Sequence, residues 1–242
     1  MKKRIWELDV FRGIMVLIMI SFHLAYDLVY LFGLVRLSTP FTRAAFTFCS
    51  NWAGSPFLLI SGICVTFSSR PVHRGLQVIG CGMVITAVTV GMYLLGFADS
   101  SIIIYFGVLQ CLGVCMLLWP LFKKLPAPAL LVLGVVMAAV GLYWKFNVRV
   151  EFPWLIPLGL ASYSFASSDY FPLLPNLGYF LVGAFVGRTF YPQKQTLFPK
   201  YDAAKHPVSR FLGFCGRHSL LIYMLHQPVL AALVGGWTLL FS

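Results

Sequence analysis

The chain alternates between long apolar segments and short polar breaks. Seven segments are long enough to cross a bilayer, which takes about 20 apolar residues in a helix. They cover residues 8–34, 44–68, 76–97, 102–122, 127–144, 171–191 and 211–241. A helix satisfies its backbone hydrogen bonds internally, as the bilayer interior requires. The pattern therefore predicts an all-α fold, a polytopic membrane helix bundle with about seven transmembrane helices.

The composition points to the same class of protein. Of the 242 residues, 60% are hydrophobic and only 10% are charged, and the mean hydropathy is +0.86. These values exclude a soluble globular enzyme of ordinary composition. The basic start MKKR resembles a signal peptide, but the apolar run after it is too long and lacks a small-residue cleavage pattern, so we interpret it as a retained helix. Without internal repeats or low-complexity segments, the sequence predicts one integral-membrane domain over residues 1–242.

The basic residues are distributed unevenly along the chain. Lys and Arg accumulate on the cytoplasmic side of membrane proteins. The net charge of +11 is therefore read as a sign of orientation, not of nucleic-acid binding. With the N-terminus inside, fourteen of the 18 basic residues lie in or beside the inner connections and four lie on the outer side. We therefore predict a cytoplasmic N-terminus and a C-terminus outside.

Two connections differ from ordinary linkers. Residues 145–170 form the longest outer connection and mix aromatic, proline and serine residues. They are too polar to span the membrane, and we expect them to pack over the outer mouth, partly re-entrant. Residues 192–207 form a basic and aromatic inner connection, which we expect to lie near the lipid headgroups.

The first apolar segment carries three polar residues that are costly at membrane depth, Arg12, His23 and Asp27. Such side chains normally face the protein interior and mark a functional site. Eleven residues separate Arg12 from His23, which is close to three helical turns and about 16 Å along the axis. Asp27 follows one turn after His23 on the same face. One helix therefore presents a base with a nearby carboxylate, and a fixed positive charge about half a bilayer away.

Polar residues at membrane depth recur on other predicted helices. His226 lies about as far into the last segment as His23 lies into the first, and Gln110 reaches a comparable level in the fourth. Asn51 lies near the outer end of the second segment, and Asp169 lies at the outer start of the sixth. This common level favours a shared site.

Each of these residues also has a purely structural interpretation. His23 could pack between helices with a hydrogen bond to Asp27, because polar side chains join membrane helices in this way. Arg12 could form an ion pair with Asp9 near the inner interface. His226 precedes a proline by two positions and could bond carbonyl groups freed by the kink.

The remaining polar and sulfur-containing residues are open to the same interpretation. Gln110 and Asn51 are residue types that often hydrogen-bond between helices, and Asp169 could cap the sixth helix. The six cysteines all fall in or beside apolar segments without a CxxC pair, so we interpret them as structural thiols and predict no metal site. Sequence motifs of nucleotide-binding loops and zinc proteases are missing as well.

Five sequence stretches together resemble a known family. They are ELDVFRGIMVLIMISFH, NWAGSPFLLISG, YFGVLQCLG, SFASSDYFPLLPNLGYFLVG and GRHSLLIYMLHQP. These stretches, spread between Leu8 and Pro228, look like the bacterial heparan-α-glucosaminide N-acetyltransferase-like family. It belongs to a wider transmembrane acyltransferase superfamily that includes the acyltransferase-3 proteins, which O-acylate envelope carbohydrates. The most specific element is Arg-x10-His, here Arg12 and His23.

The resemblance implies an acyltransferase of the bacterial cytoplasmic (inner) membrane. It would move an acyl group, usually acetyl, from cytoplasmic acyl-CoA to a hydroxyl or amine of an envelope carbohydrate or similar acceptor on the outer side. Acetyl-CoA would be the donor, with membrane lipid and a possible second copy of the chain as further partners. Lysosomal members are larger and arrange their first-helix polar residues differently, so their aminosugar acceptor is not carried over.

The predicted site assigns a role to each polar residue. His23 would act as general base on the acceptor, or as the nucleophile that carries the acyl group, and Asp27 would orient its imidazole. Arg12 would meet the phosphates or pantetheine arm of CoA. The remaining candidates are Gln110 and His226 at the CoA site, and Asn51 and Asp169 at the acceptor, with Gln110, Asn51 or His226 available to donate to the oxyanion.

A second class of function fits the same residues. Buried Arg, His and Asp side chains also occur in small proton-coupled transporters, and in membrane proteins that bind a lipid headgroup without chemistry. The sequence shows no matched pair of broken helices and no repeated halves, which argues against a transporter. Binding of acyl-CoA would discriminate between the two classes.

Overall fold

The computed structural model describes residues 5–241. In that part the chain forms helices, with one isolated β-bridge between Phe106 and Tyr170. The helices are α1 (Trp6–Tyr26), α2 (Pro40–Trp52), α3 (Ser55–Val65), α4 (Pro71–Leu94), α5 (Val108–Phe122), α6 (Ala127–Asn147), α7 (Leu173–Phe190), α8 (Pro207–Arg217) and α9 (Ser219–Phe241). A π-helical turn, Asp27–Leu31, continues α1, and three 3₁₀ turns lie at Ser100–Ile102, Pro153–Leu158 and Ala203–Lys205. The all-α prediction is confirmed for these residues.

Five helical stretches among the described residues are long and apolar enough to cross a membrane. They are Trp6–Leu31, Pro40–Val65, Pro71–Leu94, Ala127–Asn147 and Ser219–Leu240, and each overlaps one predicted segment. The other two predicted segments correspond to α5, with 15 residues, and α7, with 18. At 1.5 Å per residue α5 is about 22 Å long, which is shorter than the hydrocarbon core of about 30 Å.

Three predicted segments are interrupted in the structure. The second divides into α2 and α3 at Ala53 and Gly54, where Pro56 has no amide hydrogen to donate to the carbonyl four residues earlier. The last divides into α8 and α9 at His218, whose backbone is not helical. The fourth begins with a 3₁₀ turn, and its helix starts only at Val108. The hydrophobic pattern of the sequence is continuous across these breaks and therefore did not predict them.

The chain packs as two units, and unit 1 contains both ends of it, Met1–Phe57 and Gln195–Ser242. Within its described residues, α1 packs against both α8 and α9. Gly13 and Gly216 lie at the contact between α1 and α8. A β-carbon at Gly13 would overlap the carbonyl oxygen of Leu212, and one at Gly216 would overlap that of Asp9. Small residues permit this close approach between membrane helices.

Unit 2 is continuous and runs over Leu58–Lys194. Here α6 packs on α7 and α4 packs on α5. Glycines again bring the backbones together: a β-carbon at Gly62 would overlap the carbonyl oxygen of Phe180, and one at Gly183 would overlap that of Leu59. Each unit thus has its own close-packed helix pairs, and the single-domain interpretation stays a prediction.

The connection before α7 is hydrogen-bonded to the segment that precedes α5. The hydroxyl of Ser167 donates to the carbonyl of Ile103 at 2.8 Å, and the amide of Phe171 donates to that of Phe106 at 3.0 Å. The Tyr170 hydroxyl donates to the carbonyl of Ile156 at 2.6 Å. Burial raises the pKa of this hydroxyl, which keeps it a donor. This connection is therefore hydrogen-bonded within unit 2, and its expected place over the outer mouth stays a prediction.

The connection formed by residues 192–207 is hydrogen-bonded to the start of α1. The Glu7 carboxylate accepts hydrogen bonds from the hydroxyl of Thr196 at 2.7 Å and from the amide of Leu197 at 2.8 Å. The rings of Trp6 and Tyr201 lie 4.6 Å apart between centroids. These contacts give the connection a defined place in unit 1, and its location near lipid headgroups stays a prediction.

Candidate functional site

The site is centred on two histidines of unit 1. His23 lies near the end of α1 and His226 lies in the first half of α9. Their ring centroids are 4.7 Å apart and the ring planes cross at 75°. Histidine is rare in an apolar membrane helix, and two in direct ring contact form a concentrated polar site. The structure thus joins two residues that are 203 positions apart (226 − 23).

The hydrogen bonds of the two rings define which nitrogen is the base. His23 Nδ1 lies 2.9 Å from the carbonyl oxygen of Met19, and His226 Nδ1 lies 2.6 Å from that of Tyr223. A carbonyl oxygen only accepts, so Nδ1 carries the proton in each neutral ring and Nε2 carries the lone pair. Each histidine therefore presents Nε2 as an acceptor or base.

The hydrogen bond of His226 lies close to the proline of α9. Pro228 has no amide hydrogen, so it leaves the carbonyl four residues earlier, that of Met224, without its helical donor. His226 bonds the carbonyl of Tyr223, the residue just before Met224. The structural interpretation of His226, as a residue that bonds carbonyls freed by the kink, stays a prediction.

Asp27 lies where the α-helix becomes a π-helix. Its side chain is 0% exposed, and its amide hydrogen is shared between the carbonyls of His23 and Leu24. Single π-helical turns inside α-helices occur frequently at functional sites. The Oδ1 atom accepts a hydrogen bond of 2.8 Å from Nε2 of Gln227, while Oδ2 is buried without a hydrogen-bond partner among the described residues.

This arrangement alters the role expected for Asp27. The orienting partner of His23 is the Met19 carbonyl, and the carboxylate of Asp27 accepts from Gln227. Among the described residues His23 donates no hydrogen bond to Asp27. Gln227 is the residue that the sequence reasoning missed. The sequence signal that could have identified Gln227 is a polar amide side chain next to His226 in an apolar helix.

Arg12 occupies the same unbroken helix as His23. Its Nη1 atom lies 3.4 Å from Oδ1 of Asp9 and 3.3 Å from the carbonyl oxygen of Gly216. The Arg12 side chain is 23% exposed and that of Asp9 is 14% exposed. The expected pair with Asp9 is therefore present, although a contact of this length contributes little to stability.

Gln110 is engaged inside unit 2. Its Nε2 donates to the carbonyl of Gly82 at 3.0 Å and to the hydroxyl of Thr86 at 2.9 Å, and its Oε1 accepts from the amide of Gly107 at 3.1 Å. Both amide hydrogens are thus used in joining α4 to the start of α5. A donor role toward a ligand would require breaking one of these bonds.

The two residues assigned to the acceptor have local partners. Asn51 donates to the carbonyl of Thr47 at 2.8 Å, one turn earlier in α2. Asp169 accepts from the amide of Val108 at 3.1 Å and so caps α5, not the sixth predicted helix. A methyl group at Gly107 would come into conflict with this carboxylate. Asp169 therefore fixes the place where α5 begins.

We expect Asp169→Ala to lower the free energy of unfolding by about 1 kcal/mol, because the first turn of α5 loses its acceptor. Asp169→Asn keeps an oxygen at that position, so it should lower the free energy of unfolding by only a few tenths of that amount. Thermal unfolding of the purified variants measures both. An Asn variant with wild-type stability but no acetyl transfer would instead assign Asp169 to the acceptor site.

Metal and disulfide chemistry receive no support from the described residues. In the described part of the chain, no group of three or more His, Cys, Asp or Glu side chains could hold a metal ion. The six cysteines, all of which lie in that part, form no disulfide, and Cys111, Cys115 and Cys215 are buried.

Comparison with known proteins identifies the family. The family model for heparan-alpha-glucosaminide N-acetyltransferase, catalytic, matches residues 4–228. Neither the curated proteins nor the solved structures include a match to the chain. The family match covers α1 through the first half of α9, and with them both histidines. The chain therefore belongs to the heparan-alpha-glucosaminide N-acetyltransferase catalytic family and is an integral membrane acetyltransferase.

Proposed function

We propose that the protein transfers an acetyl group from cytoplasmic acetyl-CoA to a hydroxyl or amine of an envelope carbohydrate or similar acceptor on the outer side. The histidine pair is the observation that carries the proposal. His23 offers Nε2 as a base between two apolar helices, and the chain belongs to an acetyltransferase family. The proposal includes seven spans, a cytoplasmic N-terminus, an outer C-terminus and a bacterial inner membrane, with a homodimer as the possible assembly. The distribution of basic residues supports the orientation.

The reaction needs one base and a path for one proton. Nε2 of His23 takes the proton from the acceptor's O–H or N–H group, and the acceptor atom bonds to the carbonyl carbon of the thioester. The carbon–sulfur bond breaks, and the leaving thiolate takes up the proton from the imidazolium. The products are the acetylated acceptor and CoA with a free thiol. The Met19 carbonyl holds the ring in the tautomer this requires.

His226 complements His23 in this scheme. Its Nε2 is an acceptor in the neutral ring, so it is suited to hold a donor group of the substrate rather than to donate to an oxyanion. The CoA-binding role expected for His226 from the sequence stays a prediction. Gln110, Asn51 and Asp169 keep local structural roles in the proposal, because their polar atoms are engaged with neighbouring backbone or side-chain groups.

Arg12 is proposed to bind the phosphates of CoA. A guanidinium has five N–H donors and matches phosphate geometry. The distance of about 16 Å between Arg12 and His23 along the helix suits the extended pantetheine arm between nucleotide and thioester. Anchoring at one end of α1 would then place the acetyl group at the other.

Binding of acetyl-CoA to the purified protein tests this proposal. We expect saturable binding by the wild type and a dissociation constant at least about tenfold higher in Arg12→Ala, because a charged contact to phosphate is lost. Use of S-acetylpantetheine, which lacks the nucleotide phosphates, should be unchanged by the substitution. The exposed Arg36 supplies the matched control, Arg36→Ala. A folded wild-type protein that binds no acetyl-CoA would refute the enzyme and favour the transporter.

A further inference from the structure

One surface of unit 1 has no place in the proposed chemistry, and it lies on α8. This helix packs on α1 and buries Gly213 and Gly216 at the contact. Its remaining sides expose three large apolar side chains. They are Val208, Phe211 and Phe214, whose exposed fractions are 68%, 57% and 53%. Exposed apolar side chains grouped in this way mark a surface that contacts a partner.

Two arginines lie beside these apolar side chains. Arg210 and Arg217 are seven residues apart, which is close to two helical turns, and Phe214 lies one turn from each. Both arginines are exposed, and neither guanidinium has a hydrogen bond or ion pair among the described residues. The Arg217 side chain folds back over the preceding turn, because a β-carbon at Gly213 would lie 3.2 Å from its Nη1. The two charges therefore lie on the same side of α8 as the Phe214 ring.

The connection before α8 extends this surface with side chains of the same kind. Phe198 and Tyr201 are 55% and 39% exposed, and Lys200 between them is exposed as well. The Tyr201 ring stacks on that of His206 with centroids 4.7 Å apart, and its hydroxyl lies 2.8 Å from the hydroxyl of Ser209 in α8. The connection and the helix thus form one continuous surface, residues 195–217, which we call the α8 surface.

The α8 surface is positively charged. Its 23 residues include four basic and one acidic residue, so the formal net charge is +3 with histidine neutral. The acid is Asp202, and its Oδ2 lies 3.7 Å from Nζ of Lys205. A surface that is both basic and apolar requires a partner that is both anionic and apolar. Polybasic segments attract anionic lipids, and helices that combine basic and aromatic residues lie in membrane interfaces.

We propose that the α8 surface binds anionic phospholipid. Arg210 and Arg217 bond the headgroup phosphate, which matches the planar fork of a guanidinium. Val208, Phe211 and Phe214 pack against the first carbons of the acyl chains. A nucleic acid would leave these apolar side chains uncovered. The inference goes beyond the proposed function and does not depend on it, because the lipid is bound and not transformed.

The experiment compares phosphatidylglycerol and phosphatidylcholine with the same acyl chains, which differ in the net charge of the headgroup. Native mass spectrometry of the full-length protein in detergent gives the affinity for each lipid, and thermal unfolding gives the stabilisation. We expect the wild type to bind phosphatidylglycerol at least about tenfold more tightly. The double variant Arg210→Gln/Arg217→Gln should lose at least about tenfold in affinity for phosphatidylglycerol and little for phosphatidylcholine.

Two controls separate this surface from a general effect of charge. Arg36→Gln/Arg43→Gln removes the same charge from two other exposed arginines of unit 1 and should retain the wild-type preference. Salt tests the wild type without any substitution. Between about 0.1 M and 1 M salt the screening length falls from about 10 Å to about 3 Å, so the extra stabilisation by phosphatidylglycerol should largely disappear.

Three results would overturn the assignment. The first is equal affinity of the wild type for the two lipids, or equal affinity of the wild type and Arg210→Gln/Arg217→Gln for phosphatidylglycerol. The second is displacement of phosphatidylglycerol by CoA, which would assign the two arginines to the donor substrate. The third is a dimer in detergent that Phe211→Ser dissociates without a change in lipid affinity, which would show that a second copy of the chain covers α8.

Discussion

Replacing His23 with alanine is expected to reduce acetyl transfer by a factor of about 10² to 10⁴, the usual contribution of general acid–base catalysis. The base for the acceptor is lost, because Nε2 of His23 is the nitrogen that its hydrogen bond to Met19 leaves available. Acetyl-CoA binding should persist, since Arg12 lies about three turns away on the same helix. Transfer of labelled acetyl groups and equilibrium binding separate the two effects.

His73→Ala provides the matched control for this experiment. His73 is exposed on α4 and has no role in the proposed chemistry, so its variant should transfer acetyl groups at the wild-type rate. Rapid quenching followed by mass spectrometry distinguishes the two roles of His23: an acetyl group on the ring identifies a nucleophile, whereas none identifies a base. Full transfer by a folded His23→Ala protein would remove His23 from the mechanism.

Replacing Gly216 with valine is expected to lower the free energy of unfolding by more than about 3 kcal/mol, at or above the upper end of ordinary overpacking effects. The new β-carbon would overlap the carbonyl oxygen of Asp9, a backbone atom that no side-chain rotation can move away. The α1–α8 contact would therefore have to open. Thermal unfolding in detergent measures the loss, and Gly13→Val should act in the same direction.

Gly236 offers the control in the same unit. A β-carbon at Gly236 meets no heavy atom within 4 Å. Gly236→Ala in α9 should therefore leave stability unchanged or raise it by up to about 1 kcal/mol, since alanine favours the helix. Equal stabilities for Gly216→Val and Gly236→Ala would contradict the close contact between α1 and α8.

The helical class and the polar positions were readable from the sequence, whereas several boundaries were not. In lipid the outward face of a helix is as apolar as the inward face, so hydrophobicity carries no signal for the breaks at Gly54 and His218. The short α5 was concealed for the same reason, because the residues before Val108 are also apolar.

The candidate site was predictable only in part. The spacing of Arg12 and His23 follows from helix geometry, and the structure places both on α1. The partner of Asp27 depends instead on the π-helical turn and on how α9 packs against α1. Neither property has a signature in a single sequence, so the Asp27–Gln227 bond was missed and a bond to His23 was expected.

Unit 1 combines helices that are far apart in the sequence, and this has a consequence for how the protein is synthesised. The hydrogen bond between Asp27 and Gln227 joins residues 200 positions apart. At synthesis rates of about 5 to 20 residues per second, the second residue follows the first after roughly 10 to 40 s. During that interval the nascent first helix has a carboxylate and an imidazole whose partners on the last helix do not yet exist. Until α9 has been made, exposure of these polar groups of α1 to lipid would be costly.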